Sequence, residues 1–177
     1  MLPTQNPARL ISDVRSMDRE MKTSHIKTIL AGVAGGCAMN LMMLITFRFI
    51  GFGIDGGGIL LNPKFQSRKL IAVWTELEPL PLVVNQPLPI ILGIIGFGIV
   101  HAYLYRWLCP SWPAGVDKRA LRFALLVFVM TFLFWEFFTP FNQFGEPLGL
   151  IAIELVFWGL IALADGFAIT AIMERGS

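Results

Sequence analysis

This sequence is poor in charge and in cysteine. Charged residues make up 15% of its 177 positions, whereas soluble domains carry about 25%. The two cysteines, Cys37 and Cys109, form no C-x-x-C pair, which argues against a zinc site and against a disulfide framework. No basic stripe follows any predicted helix, so we expect no binding of nucleic acid.

Catalytic signatures are also missing. The sequence contains no nucleophile elbow, Walker motif, H-E-x-x-H pair or C-x-x-C-H haem attachment site. The glycine-rich stretch 53–58 lacks the lysine of a phosphate loop. An enzyme is therefore the least favoured class of function. Residues 1–25 have no apolar core of the kind found in secretory signals, so we expect no cleaved leader.

Long apolar segments dominate what remains, and hydrophobic residues form 55% of the chain. Four segments are long enough to cross a hydrocarbon core of about 30 Å: approximately 26–52, 87–108, 120–139 and 147–173. We predict an all-α fold, an integral membrane bundle of four transmembrane helices in contact with the lipid bilayer. Residues 53–86 are expected to form one long loop on its outer side.

Residues 1–25 predict an amphipathic helix that lies on the membrane surface or, as the mixed charge of its polar face favours, packs on the bundle or on a partner subunit. Apolar side chains recur there at spacings of four, three and four: Leu10, Val14, Met17 and Met21. Basic residues concentrate in this segment, between residues 106 and 122, and at Arg175. The positive-inside rule therefore predicts that both termini are cytoplasmic, in a multi-pass protein of the bacterial inner (plasma) membrane.

Apart from Lys27, Arg106 and Arg122, which lie within two residues of a span end, five charged or histidine residues fall inside the predicted spans: Arg48, His101, Glu136, Glu154 and Asp165. Charged groups are costly in hydrocarbon and normally face the bundle interior with a partner. At a rise of about 1.5 Å per residue, Arg48, Glu136 and Glu154 fall in an outer layer, and His101 and Asp165 in an inner one. Glu154 and Asp165 are three helical turns apart, so they share one face of the fourth span.

Each layer has a structural and a functional interpretation. If Arg48 reaches the two glutamates, the trio is an ion pair that fixes helix register; otherwise one glutamate is expected to hold a proton or a cation. His101 is expected to hydrogen-bond a neighbour such as Asp165, and the alternative is an axial ligand for a haem or chlorophyll-type ring. The separation of the acids into two layers argues against a single metal cluster.

Small residues mark the faces on which we expect helices to approach closely. Gly32 and Gly36 form a G-x-x-x-G pair in the first span, and Asn40 on the same stripe is placed to hydrogen-bond across the contact. Gly93 and Gly96 suit the second span to tight packing. Packing within the chain is favoured over a dedicated homodimer face.

Two motifs carry a resemblance. The run G-x-x-x-G-x-A-M-N-x-M-M in the first span and H-x-x-x-Y in the second are similar to features of small four-span bacterial membrane proteins. The resemblance covers the first two helices and implies a fold and a membrane location, but no activity.

Three functions fit these patterns. The first is a non-catalytic accessory, structural or assembly subunit of a larger membrane complex, whose partners are other membrane subunits or a second copy of this chain. The second is a small proton-coupled or ion transporter that uses the intramembrane carboxylates. The third is a haem-, pigment- or quinone-binding protein centred on His101. The sequence leaves the cofactor, if there is one, undetermined.

Overall fold

The computed structural model describes residues 7–175, with side chains from residue 24 onward. Four of its helices are long and apolar enough to cross a membrane, and we call them spans 1 to 4: Ser24–Gly51, Pro87–Ser111, Val116–Phe144 and Leu148–Met173. Between residues 7 and 175 there is no strand. The prediction of an all-α chain with four candidate spans is confirmed.

Span 1 is the second part of one long helix. This helix runs over Pro7–Met43 and continues as the π-helical segment Leu44–Gly51. The predicted N-terminal helix is present, but it joins span 1 without a break instead of forming a separate element. The side chains of the predicted amphipathic face lie outside the described ones, so its place on the membrane surface stays a prediction.

Spans 2 and 4 are regular. Span 2 consists of helix Pro87–Leu108 and the 3-10 turn Cys109–Ser111. Pro87 stands at the first helical position, where a missing N–H costs nothing. Span 4 is the single helix Leu148–Met173. Both agree closely with the apolar segments read from the sequence.

Span 3 alternates between α- and π-helix. Its successive segments are Val116–Val127 (α), Phe128–Leu133 (π), Phe134–Glu136 (α), Phe137–Phe141 (π) and Asn142–Phe144 (α). The sequence placed the end of this span near Thr139, before Pro140, but the helix continues to Phe144. A π-turn is wider than an α-turn, which accommodates a proline that would clash with the carbonyl four residues earlier.

Span 1 lies between spans 2 and 4, and span 3 packs against span 4. Spans 1 and 2 approach at glycines: a Cβ on Gly98 would lie 2.5 Å from the Gly32 carbonyl oxygen, and one on Gly36 would lie 2.5 Å from the Ile95 Cα. The Asn40 amide bridges the same contact, donating to the Ile91 carbonyl at 3.3 Å. This is the intramolecular packing that the sequence favoured.

Gly93 and Gly96 do not take part in that contact. Both are exposed, and no described atom lies within 4 Å of a Cβ built on either residue. Their face of span 2 points away from span 1. The prediction that they form the close helix contact is therefore wrong, and Gly98 is the glycine of span 2 that packs against span 1.

Residues 53–86 fold over one end of the bundle, which we call the loop end; the opposite end is the terminal end. The loop contains the 3-10 turn Ile59–Leu61 and the short helices Arg68–Thr75 and Leu82–Asn85. Leu60 is fully buried against Leu150 and Phe157 of span 4. The Ser67 hydroxyl caps helix Arg68–Thr75 and donates to the Phe144 carbonyl at 2.9 Å, which fixes the loop to span 3.

Candidate functional site

Three glutamates meet in the interior near the loop end. Glu136 comes from span 3, Glu154 from span 4, and Glu146 from the turn between these spans; their exposed fractions are 0%, 6% and 1%. One carboxylate oxygen of each lies within 4.8 Å of those of the other two. We call this group the carboxylate cluster. Glu136 and Glu154 were expected to share a layer, whereas Glu146 was not among the predicted site residues.

The irregular helix geometry of span 3 positions Glu136. A π-helical segment precedes it and another follows it, and each π-turn changes the angular phase of the residues beyond it. As a result Glu136 is buried, while its neighbours Trp135 and Phe137 are 50% and 44% exposed. Single π-turns inside α-helices occur frequently at functional sites.

A glycine turn positions Glu146. Gly145 has a φ of 64°, the left-handed conformation that glycine adopts without strain. The chain reverses there, and the Glu146 amide donates to the Pro140 carbonyl at 3.1 Å. This reversal brings the Glu146 side chain back against spans 3 and 4.

Two neutral donors orient the cluster. The Trp158 indole N–H donates to Glu136 Oε2 at 2.7 Å. The Gln66 amide, from the loop, donates to Glu146 Oε1 and to the Leu60 carbonyl. Among the described atoms, nothing hydrogen-bonds the remaining oxygens, Glu136 Oε1 and Glu146 Oε2, and both are buried. Glu154 is close enough to Glu136 for the two to share a hydrogen bond when one is protonated.

None of the basic side chains in residues 24–175 forms an ion pair with the cluster. Arg48 is exposed and donates instead to the carbonyls of Gly53 and Ile54, at 2.7 and 3.0 Å. The glycine turn after span 1 offers these carbonyls at the surface, where a guanidinium keeps its hydration. The arrangement in which Arg48 neutralises the glutamates is therefore not adopted.

The environment of Glu146 disfavours its charged form. Burial removes water from the carboxyl and raises its pKa to about 7, against the opposing effect of the Gln66 hydrogen bond and with a further upward contribution from Glu136. Several carboxylates in a low dielectric cannot all ionise unless a positive charge joins them. The carboxylate cluster is therefore a place for protons or for a cation.

The acids nearer the terminal end are paired. His101 Nδ1 lies 2.6 Å from Asp165 Oδ2, and the two residues are 4% and 0% exposed. Arg119 reaches both oxygens of Glu174 at 2.7 Å. The expected contact between His101 and Asp165 thus forms. Phe97 and Phe123 flank the imidazole at 4.3 and 5.9 Å, and this closed packing favours the hydrogen-bonding role over that of an axial ligand.

An aromatic layer separates the two groups of acids. Trp158 stacks on Phe132 with ring centroids 4.6 Å apart, and Phe47 contacts the same indole at 4.7 Å. Trp158 lies one helical turn from Glu154 in the direction of Asp165. Span 4 therefore contributes in succession to the carboxylate cluster, to the aromatic layer and to the His101–Asp165 contact, which we call the inner pair.

Comparison with known proteins finds no match, whether with protein-family models, with curated proteins or with solved structures. The resemblance to small four-span bacterial membrane proteins stays a prediction. The functional argument therefore depends on the geometry of the site.

Proposed function

We propose that this protein is a small ion transporter that takes up a cation, a proton or a metal ion, at the carboxylate cluster. The supporting observation is that Glu136, Glu146 and Glu154 share one buried site without any described basic partner. Ionisable residues buried in a membrane-spanning bundle commonly mark ion pathways and proton relays. A site that lacks an internal counterion attracts positive charge from outside the protein.

The position of the cluster suggests how access alternates. The loop segment with Leu60 and Gln66 covers the cluster from the loop end, and the aromatic layer closes it toward the terminal end. Movement of the loop opens one route, and rearrangement around Trp158 opens the other. Trp158 is part of the aromatic layer and also contacts the carboxylate cluster. We propose that it couples occupancy of the cluster to opening of the aromatic layer.

Asp165 lies three turns beyond Glu154 on span 4 and contacts His101, so we assign this pair to the framework of the bundle and not to the ion route. We also propose that the termini face the cytoplasm of the bacterial inner membrane, because the basic residues concentrate at the terminal end.

Reconstitution into liposomes tests the proposal. Under an imposed membrane potential, an entrapped pH dye and an entrapped Mn²⁺-quenched dye report uptake of protons and of metal ions. We expect uptake with the unaltered protein, the background of protein-free liposomes with Glu154→Gln, and full uptake with Glu76→Gln, which removes an exposed carboxylate. Unaltered protein that moves neither kind of ion under either sign of potential would contradict the proposal.

The second candidate is the accessory or assembly subunit. Its support is the uncovered aromatic face of span 3, where the exposed side chains are Phe134, Trp135, Phe137, Phe138 and Phe141. This face borders an open groove of about 500 Å³. Purification from native membranes in mild detergent separates the two candidates: larger subunits at a fixed stoichiometry favour the accessory role, and a lone monomer or homodimer favours the transporter.

A further inference from the structure

We infer that the carboxylate cluster is a binding site for a divalent metal ion that prefers oxygen ligands, of the Mg²⁺, Mn²⁺ or Ca²⁺ class. The inference deepens the proposed function and rests on it for the use made of the ion. The binding itself is argued from the geometry of the cluster alone.

The spacing of the carboxylates suits such an ion. Oxygens bound to one ion at about 2.0–2.6 Å lie roughly 3–5 Å from one another. One oxygen each of Glu136, Glu146 and Glu154 lies within 4.8 Å of the other two. The three ligands come from span 3, span 4 and the turn between them, so one bound ion ties these elements together.

The hydrogen bonds of the site leave ligand atoms available. The Trp158 indole occupies one oxygen of Glu136, and the Gln66 amide occupies one oxygen of Glu146. When the cluster is ionised, the second oxygen of each residue is buried and has no hydrogen-bond donor among the described atoms. An unsatisfied buried acceptor is costly, and a metal ion satisfies it. In metal sites, second-shell donors typically hydrogen-bond the carboxylate oxygen that does not bind the metal.

The donor atoms and the charge define the class of ion. The cluster offers only carboxylate oxygens, and among the described side chains no thiol or imidazole joins it. Such a set suits Mg²⁺, Ca²⁺ and Mn²⁺ better than the softer metals that select cysteine or histidine. Three carboxylates also favour a dication over Na⁺ or K⁺, since a monovalent ion leaves two negative charges uncompensated in a buried site.

Tb³⁺ is a suitable probe, because it prefers oxygen ligands, resembles Ca²⁺ in size and luminesces when an excited indole lies nearby. Trp158 contacts Glu136 directly. On purified, chelator-treated protein in detergent, we expect saturable Tb³⁺ luminescence that Ca²⁺ or Mn²⁺ displaces and K⁺ does not. Trp158→Phe removes the sensitising indole together with a hydrogen bond to Glu136, so it should lower the luminescence at saturation and weaken Tb³⁺ binding by roughly 10–100-fold.

Ligand variants decide the assignment. Glu146→Gln and Glu154→Gln should weaken Tb³⁺ binding by more than the roughly 10–100-fold lost when a second-shell partner is removed, whereas Glu76→Gln should bind as the unaltered protein does. Glu146 lies in a turn, so its variant keeps the test decisive if Glu154→Gln fails to fold. Absence of saturable binding by folded protein, or unchanged binding in both variants, would overturn the inference.

The two proposals fail separately. Proton uptake by liposomes without any Tb³⁺, Ca²⁺ or Mn²⁺ binding would leave the transporter in place and remove the metal site. Binding that the ligand variants abolish, in a protein that moves no ion under either sign of potential, would keep the metal site and remove the transporter.

Discussion

The two groups of buried acids in this bundle are neutralised in different ways. Near the terminal end, Asp165 contacts His101, and Glu174 contacts Arg119. At the loop end, the three carboxylates have only a tryptophan and a glutamine as described hydrogen-bond donors. Glu174 is partly exposed, but Asp165 is as buried as the three glutamates, so burial alone does not distinguish Asp165 from the cluster. The presence or absence of an internal basic partner does.

The difference separates two uses of a buried acid. A paired acid gains its partner when the chain folds, and losing that partner leaves a buried group uncompensated. An acid without a partner must take its positive charge from solution, so its protonation and ion binding respond to conditions outside the protein. We therefore assign a structural role to the inner pair and a functional role to the carboxylate cluster.

The largest effect is expected from breaking the inner pair. His101→Leu leaves Asp165 buried without its partner, and removal of one member of a buried pair costs about 3–5 kcal/mol. The apparent free energy of unfolding in detergent, measured by denaturant titration, gives the loss.

His25→Leu is the matched control for that measurement. His25 is exposed, and its described hydrogen-bond partner is the Tyr103 hydroxyl, at 3.2 Å. Substitution at such a surface position is expected to change stability by no more than about 0.5 kcal/mol. Equal losses in the two histidine variants would show that the inner pair has no special structural role.

The carboxylate cluster should instead make stability depend on pH. The pKa of Glu146 is raised from 4.5 to about 7 in the fold, so its favourable contribution is complete below pH 4.5 and is lost as the pH rises to 7. At 1.36 kcal/mol per pKa unit, the chelator-treated protein should lose about 3 kcal/mol across this window. Unfolding measured at a series of pH values in EDTA checks the slope.

Glu146→Gln should reduce that slope, and Glu76→Gln should leave it unchanged. Added Ca²⁺ should flatten the profile of the unaltered protein, since a bound cation replaces the protons. A slope that is identical in all three proteins would remove Glu146 as its source.

The sequence predicted the spans well because apolar length is a property of consecutive residues. It also placed His101 and Asp165 in one layer, since a constant rise per residue fixes depth in a regular helix. The same reasoning did not hold for Arg48. Its side chain donates to carbonyls in the adjacent glycine turn. An estimate of depth along the helix axis does not tell which of several nearby acceptors a side chain binds.

Glu146 and Gln66 escaped prediction for a different reason. Glu146 lies outside the apolar segments, and only the continuation of span 3 through Pro140 and the reversal at Gly145 bring it to Glu136. Gln66 belongs to a loop that is distant in sequence, and tertiary folding alone places it on the cluster. One signal was readable: an acid beside a glycine in a polar turn that joins two acid-bearing spans.

A smaller loss of stability is expected from a substitution that displaces Asp165 but keeps both members of the inner pair. A Cβ on Gly35 would lie 2.4 Å from Asp165 Oδ1 and 2.8 Å from Ile169 Cγ1, so Gly35→Ala forces Asp165 away from its present position against His101. Overpacking of this kind costs about 1–3 kcal/mol. Denaturant titration in detergent measures the loss, and Tb³⁺ binding at the loop end should be unaffected.

Gly159→Ala provides the comparison on span 4, where no described atom lies within 4 Å of the added Cβ. There the higher helix propensity of alanine should stabilise the protein by up to about 1 kcal/mol. Equal stability of the two alanine variants would mean that the neighbours of Gly35 move to accommodate the methyl group without destabilising the protein. A loss of Tb³⁺ binding in Gly35→Ala would show that the two groups of acids are coupled across the aromatic layer, in which case the inner pair belongs to the transport route as well as to the framework.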